Sequence, residues 1–237
     1  MGKILLIESG TNVCSVAIAS DGEIVGIKES VDEKAHAAQL TVFIDHLTKE
    51  TGISIAQLDA IAISKGPGSY TGLRIGVSAA KGICYAAEKP LISISSLDSM
   101  AYGASIKYQT LIKDQKIDLF CPMIDARRME VYTSLFNNNL QKISETQALI
   151  VEESSFSKNL ENKKILFFGN GASKCTEVLN HPNAFFADDF LPSAQFMIPL
   201  AQESLKHKRF EDIAYFEPYY LKEFVATISR KNLIPGL

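Results

Sequence analysis

A mixed α/β fold built from two related α/β halves is what the sequence predicts, on three observations. Lys3–Ser9, Val13–Ser20 and Glu23–Val31 are short apolar or alternating runs, the last two divided by Asp21-Gly22, a hairpin signal, so the chain opens with an antiparallel three-stranded meander. Leu58–Ser64 reads as a buried strand, Thr71 to about Ala87 as a helix and Pro90–Ser95 as another strand, an alternation that implies a parallel sheet. The second half of the chain repeats the theme more loosely. With 237 residues, 46% of them hydrophobic, there is material for one large core or two small ones. We place the halves at 1–100 and 101–237, joined between about residues 97 and 118, with the final segment a candidate to pack back on the first half.

The elements follow in order. Leu40, Phe43, Ile44 and Leu47 fall at i, i+3, i+4 and i+7 and predict a helix that ends near Gly52. Ser54 with Gln57 forms a capping-box pattern for a short helical turn. Beyond the joint, Leu119–Ile124 and Glu130–Phe136 read as strands around an Asp125-Ala126-Arg127-Arg128 corner. Asn137-Asn138-Asn139 makes a turn, and Ser144–Glu152 and Lys163–Phe168 read as further strands, the latter running into Gly169-Asn170-Gly171. Ser193 begins a helix carrying Phe196, Met197, Leu200, Ala201 and Leu205.

The formal net charge of −3 provides no global basic field for nucleic acid, so any such contact is local or made through a partner. Met1–Glu8 reaches a charge too soon for a signal-peptide core and no later run approaches a membrane span, which predicts a cytoplasmic protein. Cys14, Cys84, Cys121 and Cys175 form no Cys-x-x-Cys pair and read as buried free thiols.

Gly66-Pro67-Gly68-Ser69-Tyr70-Thr71-Gly72-Leu73-Arg74-Ile75-Gly76 follows a strand and opens a helix, where backbone N–H groups can hold an anion. It matches neither the P-loop nor the dinucleotide fingerprint, and Pro67 removes one donor, so a structural turn is the stronger local reading. Gly72, Gly76, Ala80 and Cys84 lie four residues apart and make a ridge of small side chains, suited to a second helix or to the chain's own sheet. His36, His46, His181 and His207 include no i, i+4 pair, so no metal site is predicted. Asp125-Ala126-Arg127-Arg128 is able to hold an acidic group but reads first as a solvated charged corner, and Glu8-Ser9-Gly10-Thr11 reads first as a β-turn.

Several stretches taken together resemble a family. They are Ile7-Glu8-Ser9-Gly10-Thr11 with Cys14-Ser15-Val16-Ala17, the helix opened around His36, the glycine-rich run above, Ser95-Ser96-Leu97, Asp125-Ala126-Arg127-Arg128 with Glu130-Val131-Tyr132, and Glu217-Pro218-Tyr219-Tyr220-Leu221. In that order the chain resembles the bacterial TsaB family, also called YeaZ. The resemblance implies the α/β actin-like, Hsp70-like ATPase fold (ASKHA, ribonuclease H-like) with two related domains. It also implies a part in making N6-threonylcarbamoyladenosine (t6A) beside the anticodon of tRNAs that read codons starting with A.

In that family the chain is a non-catalytic partner of TsaD, which transfers the threonylcarbamoyl group, with the ATPase TsaE joining the assembly. The chain alone is expected to be a homodimer, to meet tRNA indirectly through the complex and to have no membrane contact. TsaD-like enzymes hold metal with a His-x-x-x-His helix pair; here His36 is followed four residues later by Leu40, so the second ligand is missing. The expected partner interface comprises His36, Leu40, Tyr70, Thr71, Gly72, Arg74, Gly76 and Ala80. Candidate nucleotide or phosphate contacts are Glu8, Ser9, Thr11, Gly68 and Ser69, with no intrinsic cofactor and ATP or ADP a candidate at the partner interface. Glu8 stands where most actin-like ATPases use Asp. Two enzyme readings stand beside this one: an actin-like ATPase or kinase using Glu8 and Thr11, and a glycoprotease-like (peptidase M22) metallopeptidase, disfavoured by Leu40.

Overall fold

The computed structural model describes residues 2–31 and 36–222. β1 (Lys3–Glu8), β2 (Cys14–Ser20) and β3 (Glu23–Ser30) form the antiparallel meander, its second turn closed by Asp21 and Gly22, both at positive φ. α1 (His36–Thr51) lays Leu40, Ile44 and Leu47 on one face of this sheet. The Ser54–Gln57 pattern closes a short 3-10 turn, where the Gln57 side chain accepts from the Ser54 N–H at 2.8 Å.

β4 (Ala60–Gly66), α2 (Tyr70–Ala87) and β5 (Leu91–Ser95) complete a five-stranded sheet in the order β3-β2-β1-β4-β5, with β1, β4 and β5 parallel. Both faces of the central strands are covered, which is why they read as continuous apolar runs rather than alternating ones.

The stretch expected as a joint is helical. α3 (Ser96–Lys107) and α4 (Gln109–Gln115) occupy it, and Leu97, Met100, Ala101 and Ala104 belong to the core of the second sheet. That sheet contains β6 (Leu119–Asp125), β7 (Glu130–Thr133), β8 (Phe136–Asn137), β9 (Gln147–Ile150), β10 (Ile165–Phe168) and β11 (Ala184–Ala187); the short α5 (Ser157–Leu160) precedes β10. The strand expected over Glu130–Phe136 is two pieces. β7 and β8 pair with β6 in one register, and Pro122, which has no N–H to give a ladder, falls opposite the gap between them. The strand expected over Ser144–Glu152 shortens to β9 because the Ser144 side chain accepts from the Leu135 N–H and its carbonyl from the Ser134 hydroxyl.

Counted from its meander, the second sheet runs β9-β7-β6-β10-β11, with β6, β7 and β9 antiparallel and β6, β10 and β11 parallel. This is the order and sense of the first sheet. The fold is a two-lobed α/β architecture, one topology used twice.

From Ser193 the chain returns to the first lobe. Ala194, Met197, Ile198 and Ala201 pack beneath Ile4, Leu6, Ala60, Ala62 and Ile92, on the face opposite α1 and α2. The helix expected from Ser193 is a 3-10 turn over Ala194–Met197 followed by α6 (Ile198–Lys206); Pro199 fits the first turn of α6, where its missing N–H has no intrahelical partner to lose. Residues 223–237 of the second half lie outside the described residues.

Candidate functional site at the interlobe cleft

The loops that leave β1, β4 and β6 converge with residues Tyr219–Lys222 on a cleft of about 920 Å³ between the lobes. The glycine-rich run forms one wall, and its glycines are explained by close approach. A Cβ on Gly68 would lie 2.0 Å from the Gly10 carbonyl oxygen, one on Gly72 2.1 Å from that of Ser9, and one on Gly76 2.1 Å from Ser9 Oγ. The Ser69 N–H donates to the Gly10 carbonyl at 2.6 Å, and Ser69 Oγ accepts from the Gly72 N–H at 3.3 Å as the N-cap of α2. Two donors that a phosphate cradle would use are therefore already satisfied, and the structural-turn reading holds.

Thr11, Gly68 and Ser69 line the cleft, whereas Glu8 and Ser9 do not. Glu8 is 1% exposed, and its Oε1 accepts from the Gly10 N–H at 2.6 Å. Burial raises its pKa to about 7 against the opposing hydrogen bonds from Gly10, Ser64 and Ser9. The two residues thus brace the loop from below, which corrects their expected place as phosphate contacts.

The ridge is also corrected. Gly76 faces Ser9 and Ile63, Ala80 and Cys84 are in the core of the first sheet, and Gly72 is buried against Ser9. Leu40 is 1% exposed in the same core, so it too is unavailable to a partner. The chain's own sheet takes the close approach that the small residues permit. His36 opens α1, and its side chain lies outside the described residues.

Thr71 and Arg74 are exposed. The Arg74 guanidinium sits 4.1 Å from the Tyr70 ring centroid and donates to the Tyr70 hydroxyl, and Tyr70 packs on Tyr220 at 4.8 Å between centroids. A hydrogen bond with Tyr220 raises the Arg74 pKa. Further along the outer face of α2 come Ser78, Gly82 and Tyr85, which the sequence reading passed over. Tyr85 is 82% exposed, and a Cβ on Gly82 would meet nothing within 4 Å. Their signal was present: 71, 74, 78, 82 and 85 follow helical spacing on the side away from the ridge. The C-terminal segment borders this face, since Lys81 Nζ donates to the carbonyls of Ala214 at 3.3 Å and Phe216 at 3.1 Å, beside an 85% exposed Tyr215.

On the opposite wall, the Asp125 carboxylate pairs with Lys174, the Asp125 N–H donates to Asn170 Oδ1 at 3.0 Å, and Lys222 pairs with Glu130. Arg127 and Arg128 follow at positive φ, 71° and 50°, both exposed. Among the described residues no group of three His, Cys, Asp or Glu side chains is placed to hold a metal ion, and no helix is long and apolar enough to cross a membrane. The four cysteines are free and buried.

Residues 12–229 match the family model of TsaD, tRNA N6-adenosine threonylcarbamoyltransferase. The tRNA threonylcarbamoyladenosine biosynthesis protein TsaB of Buchnera aphidicola (subspecies Acyrthosiphon pisum) is 30% identical over 86% of this chain and 90% of its own. The chain belongs to the TsaB family. Haemophilus influenzae TsaB is 29% identical over 94% of both chains. The solved structure of YeaZ from Pseudomonas aeruginosa has the same fold, with a TM-score of 0.75 at 24% identity over 93% of this chain and all of that one. Membership of TsaB places the chain in tRNA threonylcarbamoyladenosine biosynthesis, as the resemblance of its motifs implied.

Proposed function

We propose that the chain is a non-catalytic subunit that binds the threonylcarbamoyltransferase TsaD and supports transfer to N6 of the adenosine beside the anticodon. TsaE joins the assembly, and the work is done in the cytoplasm, where tRNA is modified. The observation that carries this reading is the outer face of α2. It presents Arg74, Ser78, Gly82 and Tyr85, flanked by the tilted Tyr70–Tyr220 pair and Tyr215, on a helix whose inner face is fully engaged by the chain's own sheet. Exposed Tyr and Arg are the side chains that most often anchor interfaces. Leu40 supports it from the chemical side: the position that would offer a second metal ligand is part of the apolar core.

In this reading the partner surface consists of Tyr70, Thr71, Arg74, Ser78, Gly82 and Tyr85, and the chain pairs with itself through the same surface when TsaD is absent. It brings no cofactor of its own, and an ATP or ADP shared with the partner would meet Thr11, Gly68 and Ser69. The test is co-elution with TsaD on size exclusion. Gly82→Arg has room to fold and places a long cation on the face, so it is expected to weaken TsaD binding by at least about a hundredfold, on the order of 3 kcal/mol, with an unchanged melting temperature. Full binding by Gly82→Arg would remove α2 from the interface.

A further inference from the structure

The cleft mouth carries two features the partner role does not use. The first is the Arg127–Arg128 loop between β6 and β7, where two successive side chains other than glycine hold positive φ, a conformation that favours glycine. The second is the pairing pattern around it. Lys174 and Lys222 each have a carboxylate partner, Asp125 and Glu130, whereas among the described residues no carboxylate lies within ion-pair distance of Arg127 or Arg128. Two unpaired guanidiniums are thus held out at a cost in backbone strain.

We propose that this loop binds the phosphate backbone of an RNA strand lying across the cleft mouth. Arg127 lines the cleft while its neighbour Arg128 lies outside it. A ligand meeting both must continue past the rim, as a polymer of phosphates does and a single nucleotide does not. Beside the arginines, the cleft walls present Tyr132, Tyr219 and Tyr220. Cations bordering aromatic walls form the arrangement that tracks a backbone while bases rest on rings. The loop is local, so it acts despite the chain's net charge of −3. The identification of the strand as tRNA rests on the partner reading above; the presence of a polyanion site does not.

The test is fluorescence anisotropy with a labelled unmodified tRNA transcript at low salt, using the full chain alone and premixed with TsaD, with co-elution of TsaD recorded on the same samples. The double variant Arg127→Glu, Arg128→Glu is expected to weaken RNA binding at least about tenfold and to flatten the salt dependence by about 1.4 log units per decade, two single-strand phosphate contacts. Co-elution with TsaD stays intact. Arg127→Gly with Arg128→Gly relieves the positive-φ strain, so it should match or exceed the parent's melting temperature while also losing RNA, which separates the loss from misfolding. Unchanged affinity in both double variants, or no RNA binding by the chain in either form, overturns the proposal. Displacement of the RNA by ATP at equal concentration overturns it as well, because the arginines would then be reading a mononucleotide. Loss of TsaD co-elution by the parent chain defeats the partner reading instead, and the RNA result for the chain alone still decides this one.

Discussion

Glu8 is a carboxyl group buried in the fold, and its protonation therefore reports on folding. Its pKa is about 7 when folded against an ordinary 4.5, so between those values the folded chain holds a proton that the unfolded chain releases. The stability it contributes is full below pH 4.5 and is lost as the pH rises through 7. Glu8→Gln keeps an acceptor for the Gly10 N–H without a charge to bury. It should match the parent near pH 4.5 and exceed it at pH 8 by up to roughly 3 kcal/mol, read from urea unfolding at the two pH values; equal stability at pH 8 would count against a buried ionised Glu8. Gly76 is the second residue whose role follows from one distance. Gly76→Ala forces a methyl group against Ser9 and Ile63 and should cost about 1–3 kcal/mol, with an unchanged urea midpoint the contrary result. The sequence showed that small residues recur every fourth position; it did not show which of two helix faces the sheet would claim. That choice depends on the height of the Ser9–Gly10 turn above the sheet, a tertiary quantity with no local signature.

At the scale of elements, periodicity was a good guide wherever an element was long and one face was apolar. α1, α2 and the first five strands lie within one or two residues of their expected bounds because Leu40, Ile44 and Leu47, or Ala60–Ile63, could be buried in only one way. It failed where elements were short or interrupted. β11 is four residues of Ala and Phe with no flanking pattern, and the break between β7 and β8 comes from Pro122 on the neighbouring strand, which the sequence of β7 cannot record. The site was legible to the same degree. The glycine-rich run and Thr71 with Arg74 were found where they lie, but the packing of Tyr220 on Tyr70 joins residues 150 positions apart in the chain. The outer face of α2 makes its own prediction here. Tyr85→Ala removes a ring that touches little of its own chain, so it should leave the melting temperature within about 1–2 °C of the parent and weaken TsaD binding several-fold by titration calorimetry; a fall in stability without a change in affinity would make Tyr85 a structural residue.

For the whole molecule, one topology occurs twice, and the corresponding loops after β1 and β6 face each other across the cleft. The chain then closes the arrangement by sending Ala194–Lys206 under the first sheet and Ala214–Tyr220 along α2. The face proposed for a partner is therefore composite, with α2 from the first half and tyrosines from the later part of the chain. Such a surface suits a subunit whose effect is on another protein's chemistry. The direct test of that claim is reconstitution of the modification from purified chain, TsaD, TsaE, the threonylcarbamoyl-adenylate synthase, threonine, bicarbonate, ATP and tRNA, with modified adenosine read by mass spectrometry and the chain and TsaD omitted in turn. Product is expected only when both are present, with none from the chain without TsaD. Modified adenosine formed by the chain in the absence of TsaD would contradict it and make this protein the catalyst.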